Sequence, residues 1–140
     1  MSVIDISKIK GTRIPEPYGR TVKIIVTPDT SQEVKDVSIT MGIIDPHSCN
    51  DLHIHENGIE MLYIVSGHGR AIVGDKEYPI QHDSLIIAPS GVLHQQINES
   101  DDTMKMLAIW TPSVTSEEVL GRALEALNKE VKDDVYSSES

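Results

Sequence analysis

Short segments rich in β-branched residues recur from Arg20 to Trp110, and turn-forming residues separate each segment from the next. The first covers residues 20–27, and the second covers residues 37–44 and stops at Asp45-Pro46. Short segments at regular spacing, with no helical period between them, predict an antiparallel β-sandwich or barrel. The other predicted strands are residues 52–55, 59–65, 70–73, 76–80, 85–88, 93–97 and 104–110.

The composition agrees with a β-rich core and limits the partners. The chain has no Phe and one Trp, so aliphatic and mainly β-branched side chains must fill the interior. Its 140 residues suit one domain. The 12 basic and 22 acidic residues give a net charge of −10, which would repel a phosphate backbone and argues against nucleic acid as a partner.

Targeting signals and cysteine usage narrow the setting. No segment approaches the roughly 18 consecutive apolar residues of a membrane-spanning helix, and the first ten residues lack the apolar core of a signal peptide. We therefore expect a cytoplasmic protein without a membrane partner. The single cysteine, Cys49, excludes an internal disulfide framework and a zinc site built from several thiolates. A free cysteine is more often a small buried apolar residue than a reactive thiol, and both roles stay open for Cys49.

The ends of the chain differ from its middle. Residues 1–19 form a predicted N-terminal arm, in which the spacing of Ile4, Ile6 and Ile9 suits either a strand exchanged with a neighbouring copy or a loosely ordered leader. Residues 112–134 are predicted to form an amphipathic helix, and residues 135–140 to fray. The apolar stripe of that helix consists of Val119, Leu120, Ala123, Leu124, Leu127 and Val131, and Thr115 with Glu118 resembles a capping box.

The tripeptide His53-Ile54-His55 carries the most chemical information. Residues two apart in a strand share a face, so both imidazoles can bind one ion while Ile54 points away. Glu60 follows the Asn57-Gly58 turn, and an antiparallel return would bring its carboxylate beside the two rings. His94 comes from a third predicted strand. Imidazole and carboxylate together suit a divalent transition metal ion, namely Fe, Mn, Co, Ni, Cu or Zn.

Two gapped motifs place these residues in a known pattern. The first is similar to G-x5-H-x-H-x4-E-x6-G, and the second to G-x5-P-x-G-x2-H-x3-N; together they resemble the two signatures of the cupin superfamily. Both opening glycines are replaced, by His47 and by Asp83, which affects only local turn geometry. The other matching positions are His53, His55, Glu60, Gly67, Pro89, Gly91, His94 and Asn98.

The resemblance covers about residues 20–110, and the predicted barrel domain covers residues 20–111. The resemblance implies a jelly-roll barrel (a double-stranded β-helix), often dimeric, with one divalent ion held by His53, His55, Glu60 and His94. It implies no particular reaction, because cupins include many enzymes, binding domains and storage proteins. The leading hypothesis is a mononuclear metal-dependent enzyme of the dioxygenase, isomerase, decarboxylase or lyase type. Its substrate would be a small oxygenated molecule that occupies open coordination positions. The alternatives are a non-catalytic sensor of a small molecule and a structural protein braced by its metal.

Strand parity predicts the lining of the pocket. If Lys105 points to solvent, Met106 and Trp110 face inward, while Leu62 shares the face of Glu60, and Gln96 shares that of His94. We expect Gln96, Trp110, Met106 and Leu62 to contact a substrate in a mostly apolar pocket. No Arg or Lys falls at an inward position on the strands that can be phased, which argues against a polyanionic ligand. His47, His68 and His82 fall in or beside turns and are expected at the surface.

Overall fold

The structure, a computed structural model, describes residues 2–125 and 127. Nine strands, a 3₁₀ turn at Ile6–Lys8 and a C-terminal helix α1 at residues 116–125 make up these residues, with residue 127 also helical. This confirms the predicted all-β antiparallel fold followed by a helix. The strands are β1 (Thr12–Ile14), β2 (Arg20–Val26), β3 (Ser38–Ile44), β4 (Ile59–Ser66), β5 (Gly69–Val73), β6 (Lys76–Ile80), β7 (Leu85–Ala88), β8 (His94–Asn98) and β9 (Met104–Thr111).

The strands form two antiparallel sheets with the core packed between them. One sheet has six strands in the order β1-β2-β3-β9-β4-β7, and the other has three in the order β6-β5-β8. Each sheet contains neighbouring strands that are far apart in the sequence, such as β3 and β9, which is typical of a jelly roll. The core consists of Ile44, Leu62, Ile64, Ala71, Ile80, Ile86, Met104, Met106, Ala108, Trp110, Val114 and Val119.

Side-chain alternation along β9 sets which residues reach the interior. Met104, Met106 and Trp110 are buried, while Lys105 is exposed, as the parity of the sequence predicts. Neighbouring strands continue this row, since Leu62 pairs with Ala108. The inner face of the six-stranded sheet is therefore a continuous wall, along which side chains of alternate residues face the same space.

Two turns bear out the expected effect of the replaced glycines. Among the described residues, His47 (φ 54°) and Asp83 (φ 69°) are the non-glycine residues with positive φ, and they occupy the two positions where the resembled signatures begin with Gly. Both residues therefore adopt the left-handed conformation that glycine would adopt freely. At Gly67 (φ 87°) a Cβ atom would lie 2.8 Å from the Cα atom of Met104, so no side chain fits there.

The last residue of the second signature, Asn98, acts as a structural connector. Its side chain is buried, and its Nδ2 atom donates to the backbone carbonyls of Ile44, Asp45 and Asp102. Its Oδ1 atom accepts from the backbone N–H of Ser100 at 3.0 Å. These bonds tie the turn after β3 to the turn after β8, so Asn98 stabilises the loops that lead toward the site.

The two ends of the chain pack onto the sheets. Strand β1, which lies within the predicted arm, pairs with β2 of its own chain. Helix α1 begins with Thr115 Oγ1 accepting from the backbone N–H of Glu118 at 3.2 Å, as a capping box requires. Val119 and Ala123 are buried, whereas Leu124, predicted within the apolar stripe, is 45% exposed. Val131, the predicted helix end at residue 134 and the predicted fraying of residues 135–140 lie outside the described residues.

One strand prediction is wrong. Residues 52–55 do not form a strand; a single bridge pairs His53 with His94. The alternation of this segment nevertheless has the expected result, since His55 is buried while Ile54 is 44% exposed. Within the described chain, no helix has the length and apolar character needed to cross a membrane.

Candidate metal centre

The structure brings together the four residues that the sequence predicts as metal ligands. His53 and His55 lie in the segment before β4, Glu60 lies on β4, and His94 opens β8. One potential ligand atom from each lies within 4.8 Å of those of the other three. His55, Glu60 and His94 are buried, and His53 is partly buried. Three separate segments therefore contribute to a single cluster of donor atoms.

Backbone hydrogen bonds fix the positions of the imidazoles relative to one another. His53 and His94 exchange backbone hydrogen bonds of 3.1 and 2.9 Å, and their ring centroids are 4.2 Å apart. The backbone N–H of Gly91 donates to the carbonyl of His55 at 2.8 Å, which holds the next imidazole near the same turn. Glu60 pairs with Trp110 in the six-stranded sheet, so its carboxylate faces the rings from the opposite wall.

Two of the imidazoles are oriented by the backbone. The Nδ1 atom of His53 lies 2.8 Å from the carbonyl oxygen of Asp51, and Nδ1 of His94 lies 3.2 Å from that of Val92. Because a carbonyl oxygen only accepts, both Nδ1 atoms carry the proton. The Nε2 atom of each ring therefore faces the cluster, in the orientation that a metal ligand needs.

Glu60 supplies the negative charge of the cluster. Its Oε1 atom lies 3.0 Å from Nε2 of His94 and 3.3 Å from Nε2 of His55. Burial raises the pKa of Glu60, but hydrogen bonds from the two imidazoles outweigh it and lower that pKa to about 2. Glu60 is therefore ionised at neutral pH although it is buried, which requires a cationic or hydrogen-bonding partner.

The same contacts shift the pKa values of two histidines in opposite directions. Burial is the largest single influence on His94 and lowers its pKa, but the hydrogen bond and the charge attraction to Glu60, with the hydrogen bond to Val92, together outweigh burial and raise the pKa. Burial and repulsion from His94 lower the pKa of His53. Nδ1 of His94 already carries a proton. Its Nε2 atom can therefore contact the Glu60 carboxylate favourably only when Nε2 carries a second proton or a metal ion lies between the two atoms.

The third imidazole is oriented by a side chain from the helix. The Nη1 atom of Arg122 lies 2.9 Å from Nδ1 of His55, and a guanidinium only donates, so Nδ1 accepts and the proton of His55 lies on Nε2. The Arg122 guanidinium also lies 5.6 Å from the ring centre of Trp110. The indole packs edge-on against His55, with ring centroids 4.5 Å apart. If Nε2 of His55 bound an ion as a neutral imidazole, its proton would lie on Nδ1 instead, and Nδ1 could no longer accept from Arg122.

The donor set fits a divalent transition metal ion. Three imidazole nitrogens and one carboxylate oxygen are the ligands preferred by borderline ions, and no thiolate is needed. The buried charge of Glu60 and the inward Nε2 atoms of His53 and His94 are what such an ion requires.

Three members of the cluster, His53, His55 and Glu60, line a cavity of about 840 Å³, together with residues of the six-stranded sheet and helix α1. His94 is fully buried and is not part of the cavity wall. Leu62, Met106 and Trp110 line the cavity, as predicted for substrate contacts. Gln96 is fully buried beside the cavity rather than lining it: its Oε1 atom accepts from Nδ2 of Asn50 at 2.8 Å. Asn50 takes the predicted place of Gln96 in the cavity wall, because it lies between that side chain and the open space.

The cavity is more polar than the sequence predicts. Arg20 and Arg122 both line it, together with Asp51, which corrects the expectations of a mostly apolar pocket and of no inward cation. Arg20 is buried on β2, whereas Lys23 on the same strand bonds the backbone carbonyl of Ile6 outside the cavity. Alternation shows that these two cations face opposite ways, and the sequence alone does not decide which faces inward.

The remaining predicted positions lie away from the cluster. His47, His68 and His82 are exposed, as expected, and Nε2 of His47 contacts Asp101 at 2.7 Å. Cys49 is partly buried, and burial raises the pKa of its thiol above the ordinary value. That shift disfavours the thiolate, which agrees with a packing role for Cys49.

Comparison with known proteins places the chain in a family. A model of the Cupin_2 family, described as a cupin domain, matches residues 41–110, which is half of the chain. No match is found among curated proteins. The matched residues contain all four members of the His-Glu cluster.

Solved structures share the fold at low sequence identity. A predicted oxalate decarboxylase from Thermotoga maritima is 22% identical with a TM-score of 0.71, over 79% of this chain and 99% of that chain. Ectoine synthase from P. lautus is 20% identical with a TM-score of 0.71, over 87% and 86%. KdgF from Halomonas sp. is 16% identical with a TM-score of 0.69, over 81% and 96%. With its signatures, its strand order and its matched domain in agreement, the chain belongs to the cupin family.

Proposed function

We propose that the protein binds one divalent transition metal ion through His53, His55, Glu60 and His94, and that the loaded protein is an enzyme for a small oxygen-containing molecule. One observation carries this proposal: four donor atoms lie within 4.8 Å of one another, and three of the four residues, His53, His55 and Glu60, line a cavity of about 840 Å³. The ion would act as a Lewis acid toward a bound oxygen. An ion that only braced the fold would need no such cavity beside it.

The protein groups of the cluster divide their roles. The three imidazoles act as neutral ligands, and Glu60 supplies the charge that offsets part of that of the ion. With a pKa of about 2, Glu60 is a poor proton acceptor at neutral pH, so it holds rather than reacts. Asp51 lines the same cavity, and its backbone carbonyl accepts from Nδ1 of His53 at 2.8 Å, which orients that ring.

The apolar part of the wall would position the substrate. Leu62 and Met106 present aliphatic surface, and the indole of Trp110 is held by a 3.3 Å hydrogen bond from its Nε1 atom to Oγ1 of Thr40. A fixed apolar wall beside a polar cluster orients a small molecule and excludes water from the reacting end. Two structures of the same fold carry enzyme names, a predicted oxalate decarboxylase and an ectoine synthase, which accords with an enzyme rather than a structural protein.

Oligomeric state and location complete the proposal. Leu85 and Ile87, on the edge strand β7, are more than half exposed, and such apolar surface favours the homodimer expected from the sequence. A cytoplasmic location is proposed as well. Light scattering of the purified protein measures the oligomeric state, and a mass equal to that of one chain would contradict the homodimer.

The test combines metal analysis with ligand competition. Protein reconstituted with Mn²⁺ should contain about one ion per chain, and the water proton relaxation that the bound ion causes should fall when small chelating acids are added. Loss of that effect upon acid binding supports an accessible ion, and turnover of any added acid distinguishes an enzyme from a sensor. Failure to bind a transition metal after reconstitution with Mn²⁺, Fe²⁺, Ni²⁺ or Zn²⁺ would contradict the proposal.

A further inference from the structure

A cationic side chain stands in the cavity of an otherwise acidic protein. Arg20 is 7% exposed, yet it lines the cavity that contains the His-Glu cluster. Acidic residues outnumber basic ones by 22 to 12 over the chain, so a buried arginine is not explained by the general charge of the protein. Burial of a charged guanidinium is costly unless its donors are bonded.

The hydrogen bonds of Arg20 leave most of its donors available to the cavity. Within the described residues, its guanidinium makes one hydrogen bond, from Nη1 to the carbonyl oxygen of Tyr18 at 3.2 Å. The nearest carboxylate oxygen, Oδ1 of Asp51, lies 3.7 Å from Nη2, beyond hydrogen-bond distance. A guanidinium carries five N–H donors in a planar fork that matches a carboxylate.

Arg20 also lies close to the proposed ion site. The carboxylate of Asp51 stands between the two, with Oδ1 3.7 Å from Nη2 of Arg20 and Oδ2 4.0 Å from Nδ1 of His53. A single carboxylate therefore separates the guanidinium from an imidazole of the cluster. Arg20 and His53 also line the same cavity.

The wall between the two polar ends is apolar. Val22 follows Arg20 on the inner face of β2, and the pairings of Val22 with Gly42 and of Gly42 with Met106 carry the row across the sheet toward the cluster. All of these residues line the cavity, and Leu62 lies on the next strand along. A ligand that fills this space needs polar groups at its two ends and a short aliphatic body.

From these contacts we propose that Arg20 binds a carboxylate of the ligand, and that the substrate class is a small acid with a chelating oxygen group at one end and a carboxylate at the other. Only one part of this inference rests on the proposed function, namely that the other end of the ligand binds the metal ion. Arg122 is a weaker candidate for this role, because it is exposed and its guanidinium lies 5.6 Å from the ring centre of Trp110.

The test compares matched acids on the metal-loaded protein. The probes are 2-hydroxydicarboxylates of roughly four to six carbon atoms and the 2-hydroxymonocarboxylates of the same length, titrated by calorimetry into Mn²⁺-loaded protein. At the length that fits, the dicarboxylate should bind about tenfold more tightly, because a charge-assisted bidentate pair is gained. Equal affinities at every length would overturn the proposal without any variant.

Three variants assign the effect to the guanidinium. Arg20→Gln should remove the preference for the dicarboxylate, and Arg20→Lys should restore part of it, while the affinity for Mn²⁺ alone stays unchanged. Arg13→Gln is the matched control, since Arg13 pairs with Asp45 at the exposed edge strand β1 and should keep the full preference. A preference that persists in folded Arg20→Gln protein would overturn the assignment.

Metal titration separates the two proposals. If wild-type protein fails to bind Mn²⁺, the proposed function fails. The same acids are then titrated into the metal-free protein, where a dicarboxylate preference that depends on Arg20 would still support the carboxylate subsite. If Mn²⁺ binds and no such preference exists, the subsite fails and the metal proposal stands.

Discussion

The His-Glu cluster has two differently supported halves. His53 and His94 are oriented by backbone carbonyls two residues earlier in the chain, at Asp51 and Val92. His55 is instead oriented by Arg122, a side chain from helix α1. The first half is fixed wherever the β-sheets form, whereas the second depends on how the helix packs across the cavity.

The two halves are expected to affect metal affinity in opposite directions. The two backbone-oriented rings point their Nε2 atoms at the cluster without any other side chain. In the other half, the contact of Arg122 with His55 leaves the proton on the nitrogen that would bind the ion. The sheets thus favour metal binding, while the helix opposes it by a modest amount.

The largest effect is expected on the backbone-oriented half. His94→Ala removes a proposed ligand that is fully buried, so the affinity for Mn²⁺ or Zn²⁺ should fall by at least about 100-fold, more than the usual cost of losing an outer hydrogen-bond partner. Equilibrium titration against a metal indicator measures it. His82→Ala, at an exposed turn, is the control; comparable losses in both variants would show that the cluster is not the binding site.

Acidification should weaken binding through the same half. The pKa of His94 is higher in the folded protein than its unfolded value of about 6.5, so protonation of His94 stabilises the metal-free fold. This stabilisation is complete below the unfolded pKa and is lost as the pH rises through the folded pKa. A metal must displace that proton. Affinity should therefore fall about tenfold or more between about pH 7.5 and about pH 5.5. An affinity that is flat over this range would contradict a three-histidine site.

A smaller change of opposite sign is expected on the helix half. Arg122→Met removes a cation and a donor from His55 while keeping aliphatic bulk over Trp110, so metal affinity should rise about three- to tenfold, as for a partly exposed charge contact. The same indicator titration detects it. Weaker metal binding in this variant would show that Arg122 supports the site.

The smallest effect concerns the start of helix α1. Oδ1 of Asp29 accepts from the backbone N–H of Ser116 at 3.0 Å, and hydrogen bonds to Ser116 lower the pKa of Asp29 to about 2. Because its pKa is lowered, ionised Asp29 stabilises the fold at pH values above its unfolded pKa of about 3.9. This stabilisation is lost as the pH falls through about 2. Asp29→Asn should thus lower Tm slightly at neutral pH, with a difference that shrinks in acid. A constant difference would contradict this account.

The sequence predicts the backbone-oriented half of the site well. Motif spacing identifies the four clustered residues, and alternation gives the buried face of β9, since both depend on local periodicity. Strands β6 and β7 begin and end where predicted, because the Gly74-Asp75 turn and Pro89 bound them sharply. By contrast, β1 is too short to show a period, and residues 52–55 alternate like a strand although they form only one bridge.

Contacts between distant elements are what the sequence does not predict. Parity places Gln96 inward but cannot show that Asn50 lies between it and the cavity. Helical periodicity likewise predicts Leu124 as buried, yet the helix turns so that Leu124 is exposed and Arg122 reaches His55. The docking angle of a helix on a sheet depends on packing of both partners, which no single segment encodes.

The central claim is that three imidazoles and one carboxylate from separate segments hold one ion. X-ray absorption spectroscopy of the Zn²⁺-reconstituted protein tests it most directly, because imidazole rings give a characteristic outer-shell scattering pattern. We predict about three imidazole nitrogens and at least one oxygen at about 2.0–2.2 Å, with one imidazole fewer in His94→Ala protein. A spectrum with no imidazole contribution, or one that His94→Ala leaves unchanged, would contradict the claim.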